Sequence, residues 1–260
     1  MKRIFAMLLA LLLICSLVAC SKEEDNGEDD IDLTVTTDGQ YYNAGGTYND
    51  RFAFEVINGN EMAIVGFESD YTPHEIVVPA IIEGCPVVEI ADTAFYHCSQ
   101  LTVITLPTSV RKIGKMAFAG CSQLTAVKYA ENKSNLVTVD EFAFAYCNAL
   151  ATITLPNTVT ALGMGAFFDC VALTTMNIPV GVTELAEMVF MGCENLTAVE
   201  GGEALTSVGN YAFRGCAKLS DFTIASSVKK IGDFAFSGCE TFSKPELEGV
   251  VEGDFAFDEQ

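Results

Sequence analysis

Ala117-Phe118-Ala119-Gly120-Cys121-Ser122-Gln123-Leu124 returns as Ala212-Phe213-Arg214-Gly215-Cys216-Ala217-Lys218-Leu219. The cysteine recurs at Cys98, Cys121, Cys147, Cys170, Cys193, Cys216 and Cys239, in steps of 23, 26, 23, 23, 23 and 23 residues. A phenylalanine keeps step three places earlier, at Phe95, Phe118, Phe144, Phe167, Phe190, Phe213 and Phe236. A leucine keeps step three places later, from Leu101 through Leu219, and Phe242 takes its place at the end. A fixed period of this length is the signature of a solenoid. One unit buries too little apolar surface to offset the backbone entropy of ordering it, so successive units must stack and share a core.

Each unit divides into three parts. Leu150-Ala151-Thr152-Ile153-Thr154-Leu155-Pro156 reads as a short strand closed by proline, and Thr158-Val159-Thr160-Ala161-Leu162 as a second one. Gly163 to Cys170 is too short for a full helix and is expected to form one helical or 3₁₀ turn. Stacked units give two parallel sheets and a helical edge. The three extra residues around Glu131-Asn132-Lys133-Ser134 are expected in an outside loop. Gly201-Gly202 replaces the usual Leu-Pro and is expected to loosen a strand end.

A period of 23 falls in the leucine-rich range. The pattern Ala-Phe-x-x-Cys-x-x-Leu-Thr-x-Ile-Thr-Leu-Pro resembles the BspA-like branch of the leucine-rich repeats, found mainly in bacterial surface proteins. The resemblance spans roughly residues 64–257. It implies a leucine-rich-repeat solenoid, a right-handed parallel coil. It also implies adhesion to host matrix, serum or cell-surface proteins, although fold by itself does not carry function.

The first residues read as an address. Lys2 and Arg3 precede an apolar run from Ile4 to Leu17, the layout of a signal peptide. Leu17-Val18-Ala19-Cys20 resembles a bacterial lipobox, which implies cleavage before Cys20 and acylation of that residue. Residues 1–19 are therefore expected to be a lipoprotein signal peptide. Residues 20–50 are read as the lipidated cysteine and an acidic tether. Lys22-Glu23-Glu24-Asp25 resembles the acidic export signal of surface lipoproteins in some anaerobic Gram-negative bacteria. The expected location is the outer membrane or cell surface, with the chain held at the membrane through Cys20.

Residues 51–75 are expected to form a β-rich N-terminal cap, and residues 76–257 the solenoid with a C-terminal cap. Asp32-Leu33-Thr34-Val35-Thr36 alternates like a short strand. Asn58-Gly59 between two apolar runs predicts a hairpin. At the far end Glu252 falls where isoleucine belongs.

The chain carries 14 basic and 35 acidic residues, a net charge of −21. That balance repels nucleic acid. Of ten cysteines, the seven in step face one core and are read as unbridged structural thiols, and Cys85 stands apart. No CxxC pair occurs and His74 and His97 are the two histidines, so no zinc site, cofactor or catalytic residue is assigned.

What remains for function is surface. Outward positions of the first strand include Thr105, Lys128, Thr154, Asn177, Glu200 and Thr223, a flat series suited to a large partner. Tyr96, Tyr146, Phe168 and Met191 stand just before the ladder cysteines and line one edge. Both series are candidate contacts for a protein ligand, although the edge series is read first as side chains that cover the core. A glycan-capture lipoprotein is the alternative; it predicts a platform of stacked aromatics, and tryptophan is absent.

Overall fold

In the computed structural model, which describes residues 52–67 and 73–257, the repeated units lie on one another as successive coils. Two faces of short parallel strands run along the stack. On the first-strand face Glu75–Val77 pairs with Val103–Leu106, and that strand with Ala126–Tyr129. Thr152–Ile153, Thr175–Ile178 and Ala198–Gly201 continue the face, and Asp221 bridges to Ala198. On the second face Cys85–Ile90, Lys112–Ile113, Thr138–Val139 and Ala161–Leu162 pair in sequence. Glu184–Leu185, Ser207–Val208, Lys230–Ile231 and Val251–Glu252 form the rest of that face. Between the full repeats the paired residues are 23 or 26 apart, the local repeat length, so each position stands above its equivalent.

The core follows from that register. Phe95, Phe118, Phe144, Phe167, Phe190, Phe213 and Phe236 form one column of rings, with successive centroids 5.1–5.7 Å apart and planes within 22°. Phe67 continues the column at one end and Phe257 at the other.

The cysteine column does more than fill space. Cys121 donates its thiol hydrogen to the backbone carbonyl of Phe95 at 3.1 Å, and Cys147 to Phe118 at 3.3 Å. Cys170, Cys193, Cys216 and Cys239 repeat the bond to Phe144, Phe167, Phe190 and Phe213, each at 3.1 Å. The same carbonyls already accept the N–H of the cysteine in their own coil, as Phe118 accepts from Cys121. Both lone pairs are thus used in a place that water does not reach. Burial pushes the thiols of Cys121, Cys147, Cys193 and Cys216 far up, and that of Cys170 to about 12.

The segment before each cysteine is not the helical or 3₁₀ turn expected from its length. It is a run of reverse turns. N–H groups alternate: Ala117, Ala119 and Cys121 bond back within their own coil, while Met116, Phe118 and Gly120 bond to carbonyls of the next. Met116 has φ 55° and Gly120 φ 77°. A helix requires negative φ throughout. Here the left-handed residues turn alternate N–H groups along the stack, where the neighbouring coil satisfies them.

Other departures have local causes. The strand through Gly201 keeps its full length and pairs Gly201 with Ile178. A Cβ at Gly201 would stand 2.4 Å from the Ile178 carbonyl oxygen, so glycine permits this approach rather than loosening the end. The three extra residues do lie outside the core, as a 3₁₀ turn over Ala130–Asn132. Beside them Tyr129 takes the inward place held by Leu106 in the coil before. Its hydroxyl is buried without a hydrogen-bond partner. Tyr129→Phe is expected to raise the unfolding free energy by about 1–2 kcal/mol, because it removes that unsatisfied group. Urea titration of the two proteins measures the difference.

At the first end, Phe52–Ile57 runs antiparallel to Glu61–Phe67, reversing through Asn58 and Gly59 with φ 50° and 81°. Glu61–Phe67 then pairs in parallel with Cys85–Ile90, which places the hairpin on the edge of the second face. A smaller reversal at Glu83-Gly84 folds Ile81–Ile82 onto Cys85–Pro86. At the far end Glu252 replaces the apolar residue above Ile231 and forms an ion pair with Lys244 at 2.6 Å. The ammonium of Lys244 also lies over the Phe257 ring. The expected signal peptide, Cys20, the acidic tether and the strand at Asp32–Thr36 fall outside the described residues.

Candidate binding surfaces

The stack turns one position per coil into a column on the surface. On the first-strand face the column reads Val77, Thr105, Lys128, Thr154, Asn177, Glu200, Thr223. Thr105 is paired with Lys128, and Asn177 with Glu200. Lys128, Thr154, Glu200 and Thr223 are exposed, whereas Thr105 and Asn177 are half-buried. Asn177 is not a free contact group. Its Oδ1 accepts the Leu155 N–H and its Nδ2 donates to the Leu155 carbonyl, both at 2.9 Å. The amide substitutes for backbone pairing where the Thr152–Ile153 strand stops short, and so fastens two coils.

Midway along this face lies an open hollow of about 690 Å³, lined by Thr105, Lys128 and Thr154 together with Thr152, Glu131 and Lys133. The extra residues of the long coil form its wall. Lys133 is 3.7 Å from Glu131. Three of the six column residues proposed from sequence therefore meet in one place, and Glu200 and Thr223 lie farther along.

The edge carries the second surface. Tyr96 is 50% exposed and Tyr146 49%, high values for large rings outside a core. Both border a hollow of about 450 Å³ whose floor includes Ala119, Gly120 and Ala145. It exists because Ala119 and Ala145 follow Tyr96 in one column, while Gly120 separates His97 from Tyr146 in the next. Tyr146 meets Phe168 edge to face at 5.3 Å, and Tyr96 meets His97 in the same way at 4.3 Å. Ser99, Ser122 and Asn148 line it as polar members, and Met116 and Phe142 line it too. These two stand two places before the ladder phenylalanines, at left-handed positions, and sequence reading left them out. The signal was available, since the same position brings Tyr211, Phe234 and Phe255 into a second stack, with centroids 5.3 and 5.2 Å apart. Met191 is half-buried, and the next coil's Arg214 lies over Tyr211 and Phe234.

Charge is concentrated elsewhere. Near the first end the cations are paired: Arg111 with Glu61 at 2.7 Å, Lys112 with Glu89 at 2.8 Å, and Lys115 with Glu141. The Glu61 carboxyl is held below its ordinary range by the Arg111 hydrogen bond, and the Lys112 ammonium is raised by that from Glu89. These pairs are exposed or half-buried at the surface, and each contributes little to stability. Among the described residues no group of three or more His, Cys, Asp or Glu is placed to hold a metal ion.

Comparison with known proteins agrees with this architecture. No curated protein matches the chain. A leucine-rich repeat protein of T. pallidum superposes with a TM-score of 0.69 at 27% identity, over 79% of this chain and 99% of that one. A leucine-rich repeat protein of Bacteroides ovatus gives a TM-score of 0.56 at 22% identity, over 80% and 67% of the two chains. The profile of the BspA type leucine-rich repeat region matches six copies over residues 88–136 and 130–243. The chain belongs to the BspA type leucine-rich repeat family.

Proposed function

We propose that this chain is a non-enzymatic surface lipoprotein that binds a protein partner through its aromatic edge. Repeats of this family fit a protein-binding role. The observation that carries the reading is the pair of half-exposed tyrosines, Tyr96 and Tyr146, around an apolar hollow floored by Ala119 and Gly120. Tyrosines bring large area with little side-chain entropy to lose, and residues in such pockets dominate binding energy. Adhesion to host matrix, serum or neighbouring-cell proteins is the task this supports. Anchorage through Cys20, with the acidic stretch Ser21 to Asp30 between lipid and solenoid, would present the edge outside the cell.

The test is a binding screen of the full chain against matrix proteins, serum proteins and mucins, with a glycan array alongside. A protein ligand is expected, and Tyr96→Ser with Tyr146→Ser is expected to weaken it at least about tenfold. Unchanged affinity in that double variant contradicts the edge reading. Cys20→Ala is expected to release the chain from the membrane fraction, and its retention there contradicts the anchor.

A further inference from the structure

On the opposite kind of surface, the hollow of the first-strand face, we infer a binding site for a carboxylated sugar residue, independent of the aromatic edge. The hollow spans three coils, about 10 Å along the stack at the usual strand spacing, the length of one to two sugar rings. Lys128 stands at its centre, in register with Thr105 on one side and followed by Thr152 and Thr154 on the other. Among the described residues no ion pair or hydrogen bond engages the Lys128 ammonium or the hydroxyls of Thr105, Thr152 and Thr154. Thr125 differs, since its hydroxyl already donates to the Thr102 carbonyl at 3.0 Å.

The chemistry of these groups selects the ligand. Three hydroxyls can each donate and accept, which matches a ring bearing several hydroxyls of its own. One ammonium asks for one anionic group. The lining holds Lys128, Lys133 and Glu131 as its charged residues, a local sum of +1 on a chain whose net charge is −21. A monoanion is attracted by the near field, while a polyanion such as an acidic peptide or a heavily sulfated chain meets the repulsion of the whole molecule. A uronic or sialic acid residue satisfies both conditions.

The experiment titrates the full chain with the methyl glycosides of N-acetylneuraminic acid and glucuronic acid. Methyl glucoside is the neutral control and a Glu-rich peptide the acidic one, with saturation-transfer NMR as the readout. The carboxylated sugars are expected to bind at least about tenfold more tightly than methyl glucoside, the value of one charge-assisted contact. Lys128→Gln is expected to remove that preference with an unchanged melting temperature, since the side chain is exposed. Lys230→Gln, an exposed lysine on the other face, is expected to leave binding intact. Equal binding of the neutral sugar, tighter binding of the peptide, no sugar binding at all, or full binding by Lys128→Gln each overturns the site.

Discussion

Phe167→Ala is expected to lower the unfolding free energy by about 3–5 kcal/mol and to split a single urea transition into two. The side chain is fully buried, with ring centroids 5.5 Å from Phe144 and 5.7 Å from Phe190. Truncation removes the transfer free energy of the ring and leaves a cavity that the adjacent coils cannot close, because their backbones are tied to each other on both sides. In a stacked array stability is a sum of coil and interface terms, so a defect in the middle weakens two interfaces at once. The neighbouring Phe168→Ala, on the half-buried edge, is expected to cost far less. Circular dichroism during urea titration distinguishes the two. Equal losses would mean that the ring column is not the core.

Alkaline pH is expected to unfold the protein steeply. Burial raises the thiols of Cys121, Cys147, Cys170, Cys193 and Cys216 above the unfolded value of 9.0. Below pH 9 these thiols are protonated in both states, and their contribution is fully present. Above it the unfolded chain releases protons that the folded chain retains, so stability falls as pH rises and continues to fall until the folded pKa values are reached. Each thiol contributes about 1.4 kcal/mol per pH unit in that window, and the five together about 7 kcal/mol per unit. Midpoints of urea unfolding between pH 8 and 10.5 measure the slope. Cys170→Ala is expected to reduce it by about a fifth while weakening the protein at pH 7 through loss of the bond to the Phe144 carbonyl. A flat profile through pH 10 would contradict buried thiols.

The parts legible in the sequence are those fixed by period. Phe and Cys in step are enough to place two columns, because any residue at a constant interval in a stacked coil must face the same way. Asn58-Gly59 located the hairpin through its need for positive φ. The turns were not legible for the converse reason. Met116, Phe142, Tyr211 and Phe234 hold left-handed backbone without being glycine, since the hydrogen bonds of the adjoining coil outweigh the local preference. Nor could spacing show that each thiol reaches a carbonyl one coil back, a contact between residues 26 to 29 apart. Asn177 looked like an outward contact residue by alternation. It bends instead to the Leu155 backbone, an interaction that depends on where the neighbouring strand ends. Of the surface residues, the column gave Thr105, Lys128 and Thr154 together, whereas Met116 and Phe142 belong to the edge by the repeat position that also carries Tyr211, Phe234 and Phe255.

The stacked-thiol core is tested most directly by alkylating the native chain without reductant, then in urea without reductant, and mapping the labelled peptides by mass spectrometry. The coils predict that the half-buried Cys85 and Cys98 are labelled in the native protein, that Cys121, Cys147, Cys170, Cys193 and Cys216 are protected, and that urea exposes all five to reagent. Rapid native labelling of those five, or resistance in urea until a reductant is added, would show thiols on the surface or locked in disulfides, and either result contradicts the fold described above.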